Sequence, residues 1–348
     1  MMRTLGGRRV ALLAASSFAL ILAALLRFFV YPGIAVHPRE PYPSTVHLAA
    51  TGAVYFDWAR LRLHQGEPIY RTVILQADSF EGDEDTSIWT ELATTNDESG
   101  ARIAYQERRV AFDRRTGLSE NCCGQYVGSR RDARQPGLAF RWPVNARPVA
   151  YPFFDPVTLS DARMRYTGEE TLRGLRVYRY EQDTQPVKVE DVADPLPGSL
   201  VGFPGRAVRV ARYAESARVY WVEPRSGLPI KIEERVRETL RTADDQERLV
   251  VFDATLRTME PDVAMLAEAA AGIVGRVRLI ETIAPAVLAG LGALALGASA
   301  LPERRRRSAA AQDQQEVPGD ELPETGDLNH RAGPVGMIAG QRVDDVDL

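Results

Sequence analysis

Lysine is almost missing from this chain of 348 residues: Lys188 and Lys231 are the only two. Positive charge is carried by arginine throughout, which we read as the codon bias of a GC-rich genome and not as a guanidinium site. No stretch of residues 31–280 is basic enough to follow a phosphate backbone, which argues against nucleic acid as a partner. Cysteine is confined to the neighbours Cys122 and Cys123, and the four histidines, His37, His47, His64 and His330, are scattered. That leaves no second cysteine pair and no histidine spacing for zinc. HExxH, GxSxG, the Walker A loop and the N-glycosylation sequon are absent as well. We therefore expect no catalytic residue, no metal and no cofactor, and read the chain as a non-enzyme.

Long apolar runs are few, but two are present. Val10–Leu26 follows Arg3, Arg8 and Arg9, and Ile283–Leu301 precedes Arg304–Arg307. Each run is about as long as a helix needs to cross roughly 30 Å of hydrocarbon. Short arginine-rich flanks stay on the cytoplasmic side. Both termini are thus expected inside, with the intervening residues outside. No small-x-small cleavage site follows the first run. The stretch Arg27-Phe-Phe-Val-Tyr-Pro-Gly33 suits a membrane interface instead, which favours a retained anchor over a signal peptide.

Composition between the runs, with 45% hydrophobic and 26% charged residues over the whole chain, is that of a globular protein. Residues 45–56, 69–75, 87–92 and 103–112 read as strands, as do 175–180, 208–213, 217–222, 228–234 and 249–256. In Arg218–Val222 and Ile230–Ile232, apolar and charged side chains alternate, as in antiparallel sheet with one wet face. An internal echo supports hairpins. Phe112-Asp-Arg-Arg-Thr-Gly-Leu118 and Val222-Glu-Pro-Arg-Ser-Gly-Leu228 share one pattern. Asp113 or Glu223 opens a turn, and Gly117 or Gly227 supplies its left-handed residue. The pair reads either as a duplicated sheet with a shared binding face or, preferably, as two hairpins using the same turn chemistry.

From Pro261 the pattern becomes helical. Residues 262–280 should form a helix running into the second span, with Pro285 a candidate kink. Ala11, Ala15, Ala19 and Ala23, and Ala289, Ala293 and Gly297, recur at every fourth position. Such faces let membrane helices approach closely, either as a two-helix stem or as a homo-oligomer, although alanine-rich filler gives the same pattern. The expected organisation is an N-terminal cytoplasmic end and transmembrane helix over 1–30, an extracytoplasmic β-rich domain over 31–260, a juxtamembrane helix and second span over 261–301, and a disordered cytoplasmic tail over 302–348. That tail holds six Arg against ten Asp and Glu. Fold class is α+β, a mostly antiparallel β domain between two transmembrane helices.

Three local features bear on function. Adjacent cysteines in an oxidising compartment favour a structural vicinal disulfide between Cys122 and Cys123, with a redox switch or intermolecular bridges as alternatives. The loop Asp78–Asp85 holds five acids but lacks EF-hand spacing, and reads as solvated. Leu322-Pro-Glu-Thr-Gly326 matches a sortase signal. Its span and arginines precede it, though, and on the expected topology it lies inside, so it is read as chance.

Several stretches together resemble an actinobacterial envelope family labelled the porin PorA family. They are Arg27–Gly33, Thr51-Gly-Ala-Val-Tyr-Phe-Asp57, Phe112–Gly117, the cysteine pair, Tyr151-Pro-Phe-Phe-Asp-Pro156 and Tyr220–Pro229, spread over residues 1–301. The label implies an oligomeric channel component. The resemblance supplies no catalytic residues. The hairpin Tyr220–Pro229 is also similar to those of envelope lipid-carrier half-barrels. The expected function is a membrane-anchored extracytoplasmic binding or scaffold protein, for an envelope lipid or polymer. An oligomeric channel component is the alternative, and an envelope glycan- or lipid-modifying enzyme comes third. Expected partners are the bilayer, an envelope lipid or polymer, and further copies of the chain through its transmembrane helices.

Overall fold

The computed structural model describes residues 7–131 and 133–301. Arg3, the 304–307 arginines, His330, the sortase-like motif and the tail lie outside them.

The chain begins in a helical stem. Helix α1 (Gly7–Leu25) continues through a π-helical turn, Leu26–Val30, into the short α2 (Tyr31–Ile34). At the other end, α3 (Glu260–Arg278) continues through a second π-helical turn, Leu279–Ile283, into α4 (Ala284–Ala300). The composite helices Gly7–Ile34 and Glu260–Ala300, 28 and 41 residues long, are both long and apolar enough to cross a membrane. Each π turn ends two residues before a proline, Pro32 or Pro285. Proline offers no N–H to the carbonyl four residues back and crowds it, so the helix widens there. The widening shows as i to i−5 bonds, Tyr31 N–H to Leu26 O and Ala284 N–H to Leu279 O. At Pro285, the candidate kink, the helix widens just before the proline.

Between the stems, eleven strands follow one path: β1 (Thr45–Asp57), β2 (Arg62–Ala77), β3 (Thr86–Asp97), β4 (Arg102–Asp113), β5 (Tyr126–Val127), β6 (Tyr151–Asp155), β7 (Ser160–Leu172), β8 (Leu175–Asp183), β12 (Ala211–Glu223), β13 (Leu228–Arg241) and β14 (Glu247–Thr258). A twelfth, β9 (Val187–Asp191), pairs with β12 beside β8, while β10 (Leu196–Pro197) and β11 (Ala207–Val208) form a small hairpin. The order is β5-β4-β3-β2-β1-β14-β13-β12-β8-β7-β6, all antiparallel. The chain thus meanders out to β5 and returns from β6 to close against β1 through β14.

The strands outrun the sequence reading because charged residues at their ends carry no apolar signal. The stretch read as 208–213 divides between β11 and β12. The sequence pattern does not mark the hairpin β6–β7. In β7, Asp161, Arg163, Arg165 and the Glu169-Glu170 pair obscure the alternation, although Met164 is fully buried.

The inner face holds Leu48, Ala50, Ile69, Val236, Phe252, Ala254 and Leu256 in one core cluster. The opposite face of β13 and β14 is laced with ion pairs: Arg257 with Glu233 at 2.8 Å, and Arg237 with Glu247 and Glu215. A surface of that charge density faces water rather than lipid. Helix α3 packs on β13 through Val263, Leu266, Ala267 and Ala270, against Leu228 and Ile230. Pro261 starts it, Glu260 and Asp262 lie in its first turn, and Arg276 and Arg278 lie in its last, each at the favourable end of the helix dipole.

Candidate functional site at the junction of sheet and stem

The two echoed turns lie at the stem end of the sheet. In the first, the Asp113 carboxylate accepts from the backbone N–H groups of Arg115 and Thr116, and Gly117 N–H returns to Asp113 O at 2.8 Å. In the second, Glu223 accepts from the N–H groups of Arg225 and Ser226, and Gly227 N–H returns to Glu223 O at 2.9 Å. Both glycines have positive φ, 70° and 69°. The same chemistry recurs elsewhere: Asp57 accepts from Ala59 and Arg60 N–H before Leu61, and Asp155 from Val157 and Thr158 N–H before Leu159, with Leu61 and Leu159 also left-handed. Recurrence at four places supports shared turn chemistry over duplication.

What separates the echoed pair from the others is a common neighbour. The segment 137–147 crosses both turns. Ala139 N–H donates to Gly117 O at 2.9 Å, and Trp142 N–H to Gly227 O at 3.0 Å. Ala146 N–H reaches Pro224 O at 2.7 Å. The approach is so close that a Cβ on Gly117 would sit 2.5 Å from Arg141 O, and one on Gly227 would overlap Trp142 O. Glycine is therefore required twice over, for backbone conformation and for space. The same segment ties the two edges of the sheet, since Leu138 N–H donates to Pro152 O and Ser119 N–H to Gly137 O. Sequence reasoning missed it entirely; Gly137 and Trp142 were its only marks.

Each turn also holds one stem, through the arginine at the same place in the pattern. Arg115 donates to Pro32 O at 3.1 Å. Arg225 pairs with Glu281 in the second π turn. Asn145 donates to the Tyr31 hydroxyl at 2.7 Å. His37 is buried beside Gly117, its backbone N–H bonded to Arg114 O and neither ring nitrogen hydrogen-bonded. Burial first, then the Arg141 and Arg114 charges, hold its pKa down to about 3.

Inside the sheet lies a belt of charge that no pattern announced. Arg218 donates through Nε to Glu234 at 3.0 Å and approaches Asp155 at 3.5 Å. Arg71, from β2, also reaches Glu234 on β13, although β1 and β14 lie between them in the sheet order, so the sheet is strongly curled. Asp155 is bonded to Ser216 and Gln182 as well. Burial pushes the Glu234 carboxyl up, but Arg218 and Arg71 outweigh it and hold it below the usual range. Two cavities flank this belt. One, of about 610 Å³, is lined by Phe56, Ile103, Val157, Val236 and Phe252, with Arg71 and Arg212 among its polar groups. The other, of about 110 Å³ on the stem side, is walled by Phe140 and Trp142 of the crossing segment, with Tyr220, Arg108 and Leu266.

The cysteine pair lies away from this junction. Cys122 and Cys123 are bonded to each other, with Asn121, Cys123 and Gly124 all left-handed. In the acidic loop, Asp78 and Glu81 both pair with Arg109, and Asp83 caps its own turn. Among the described residues no cluster of His, Cys, Asp or Glu is arranged to hold a metal.

A family model described as Porin PorA matches residues 10–301. The chain belongs to the Porin PorA family. A curated relative named Porin PorA, from Corynebacterium amycolatum, is 25% identical over 118 residues, 27% of this chain and 31% of the relative. The chain therefore matches about a third of that relative's length. Among solved structures, a MaoC domain protein dehydratase from Chloroflexus aurantiacus is 9% identical over 70% of this chain and 80% of its own, with a TM-score of 0.14, which carries no argument. Together, the family and the two apolar helices place the chain in a membrane.

Proposed function

We propose that this Porin PorA family member is a component of an oligomeric envelope channel, anchored by its two helices with the β domain on the extracytoplasmic side and both termini in the cytoplasm. Family membership over residues 10–301 carries the reading. The stem supports the oligomeric form. Helices α1 and α4 pack antiparallel, and no charged or amide side chain lies in Val10–Leu26 or Ala284–Leu301, so one copy has no polar path across the bilayer. On α4 the packed face contains Gly292, while Ala293 and Gly297 remain exposed for other copies. The arginine flanks and the paired charges on the sheet's outer face support the topology. Planar-bilayer recording of the purified full chain tests the reading. Discrete conductance that scales with a power of protein concentration above one supports it, and silence at every protein-to-lipid ratio refutes it.

A second reading rests on the 610 Å³ cavity, which is of ligand size and has a mixed wall, with Phe56, Ile103 and Phe252 beside Arg71, Arg212 and Glu238. On it, the β domain binds an envelope lipid or polymer as a scaffold. Native mass spectrometry of the detergent-extracted chain would then show a bound adduct, and an adduct-free spectrum across several detergents counts against it.

A further inference from the structure

We propose that the segment 137–147 is a strap that couples the spacing of the two stem helices to the stem-side cavity. Its two halves are held alike: Ala139 and Gly117 on one side, Trp142 and Gly227 on the other. Each turn in that pair grips a different stem with the corresponding arginine, Arg115 on Pro32 O and Arg225 on Glu281. Both grips fall at or beside a π-helical turn, an irregularity that recurs where helices carry function. A shift of one stem against the other must therefore move one turn relative to its twin. The strap cannot follow both, because its backbone lies against each glycine with no room for a Cβ. It yields where it faces empty space, at Phe140 and Trp142, which wall the 110 Å³ cavity. Trp142 is held there by packing against Tyr180 and Tyr220, and no hydrogen bond fixes its buried ring N–H. The coupling needs only the stem and sheet contacts, and does not depend on conduction by the oligomer.

The test is hydrogen exchange of the full chain in lipid nanodiscs, followed at the amides of Ala139, Trp142 and Ala146, with β1–β3 as internal reference. Glu281→Gln weakens the second grip without touching the strap, and Arg115→Met removes the first, while the Asn145–Tyr31 bond and the packing of α3 on β13 stay in place. The expected result is at least tenfold faster exchange along the whole strap in each variant, including the half bound to the other turn, with β1–β3 unchanged. Arg225→Ala combined with Glu281→Gln should add nothing to either alone. Faster exchange confined to the turn whose grip was weakened or removed would overturn the proposal, as would unchanged exchange in both variants. A rise spread equally over β1–β3 would also overturn it, because the contacts would then be holding the fold and not coupling two parts of it. Bilayer recordings on the same variants are scored separately, so loss of the channel reading leaves this outcome standing.

Discussion

The Ser16 hydroxyl on α1 donates to the carbonyl of Gly292 on α4 at 2.8 Å, and both residues are buried between the helices. A Cβ at Gly292 would lie 2.9 Å from Leu20 Cγ and 3.3 Å from Ser16 O. Gly292→Leu is therefore expected to force α1 and α4 apart and to destabilise the stem by about 1–3 kcal/mol. Gly290→Leu, at a position with nothing within 4 Å, should leave it unchanged. Thermal unfolding of the detergent-solubilised variants compares the two.

The junction glycines make a second contrast. Gly66 has φ +77° in open space, and its change to Ala should cost about 1–2 kcal/mol for the left-handed conformation alone. Gly227→Ala carries the same conformational strain plus overlap with Trp142 O, so it should cost clearly more and lower the unfolding midpoint further. Equal midpoints for the two variants would remove the argument for a strap seated on the turn.

Much of this architecture was legible. Two apolar runs with arginine flanks mark the stem, and the Asp113–Gly117 and Glu223–Gly227 patterns mark hairpins. The small-residue stripes point to the right helices and only partly to the contact: on α1 the stripe member Ala23 is buried, but on α4 the buried position is Gly292, next to the stripe member Ala293, which is exposed. The charge belt was illegible for a physical reason. Arg71, Arg218, Glu234 and Asp155 sit in strands whose alternation places them inside, yet as single letters they look like solvent-facing residues. Only the curl that brings β2 across to β13 shows that they neutralise one another.

That belt should be sensitive to loss of a single partner. Glu234→Ala leaves Arg71 and Arg218 buried without their shared carboxylate, and about 3–5 kcal/mol of destabilisation is expected. Exposed Glu247→Ala, which breaks a pair on the outer face, should cost under about 1 kcal/mol. Chemical denaturation of both variants measures the difference.

His37 sets a pH dependence. Its folded pKa is lowered from 6.5 to about 3, chiefly by burial and then by Arg141 and Arg114. Below pH 6.5 the unfolded chain takes up a proton that the folded chain refuses, so stability falls as pH falls. The loss is about 1.4 kcal/mol per pH unit, or about 2 kcal/mol at pH 5, and it continues until the folded group titrates. His37→Gln should flatten the curve between pH 6.5 and 5, above the range where the buried carboxylates Asp155 and Glu234 titrate. An unchanged slope in that variant would assign the dependence to other groups.

The proposed topology puts the sheet and the chain's first residues on opposite sides of a membrane. Cysteine labelling in intact cells tests it most directly, in a background where Cys122 and Cys123 are serine. Phe80 is fully exposed on the sheet domain, and Arg8 lies in the first turn of α1, before the apolar run Val10–Leu26. With a membrane-impermeant maleimide, Phe80→Cys should label in intact cells and Arg8→Cys only after lysis. Labelling of Arg8→Cys in intact cells, or protection of Phe80→Cys until lysis, would contradict the account.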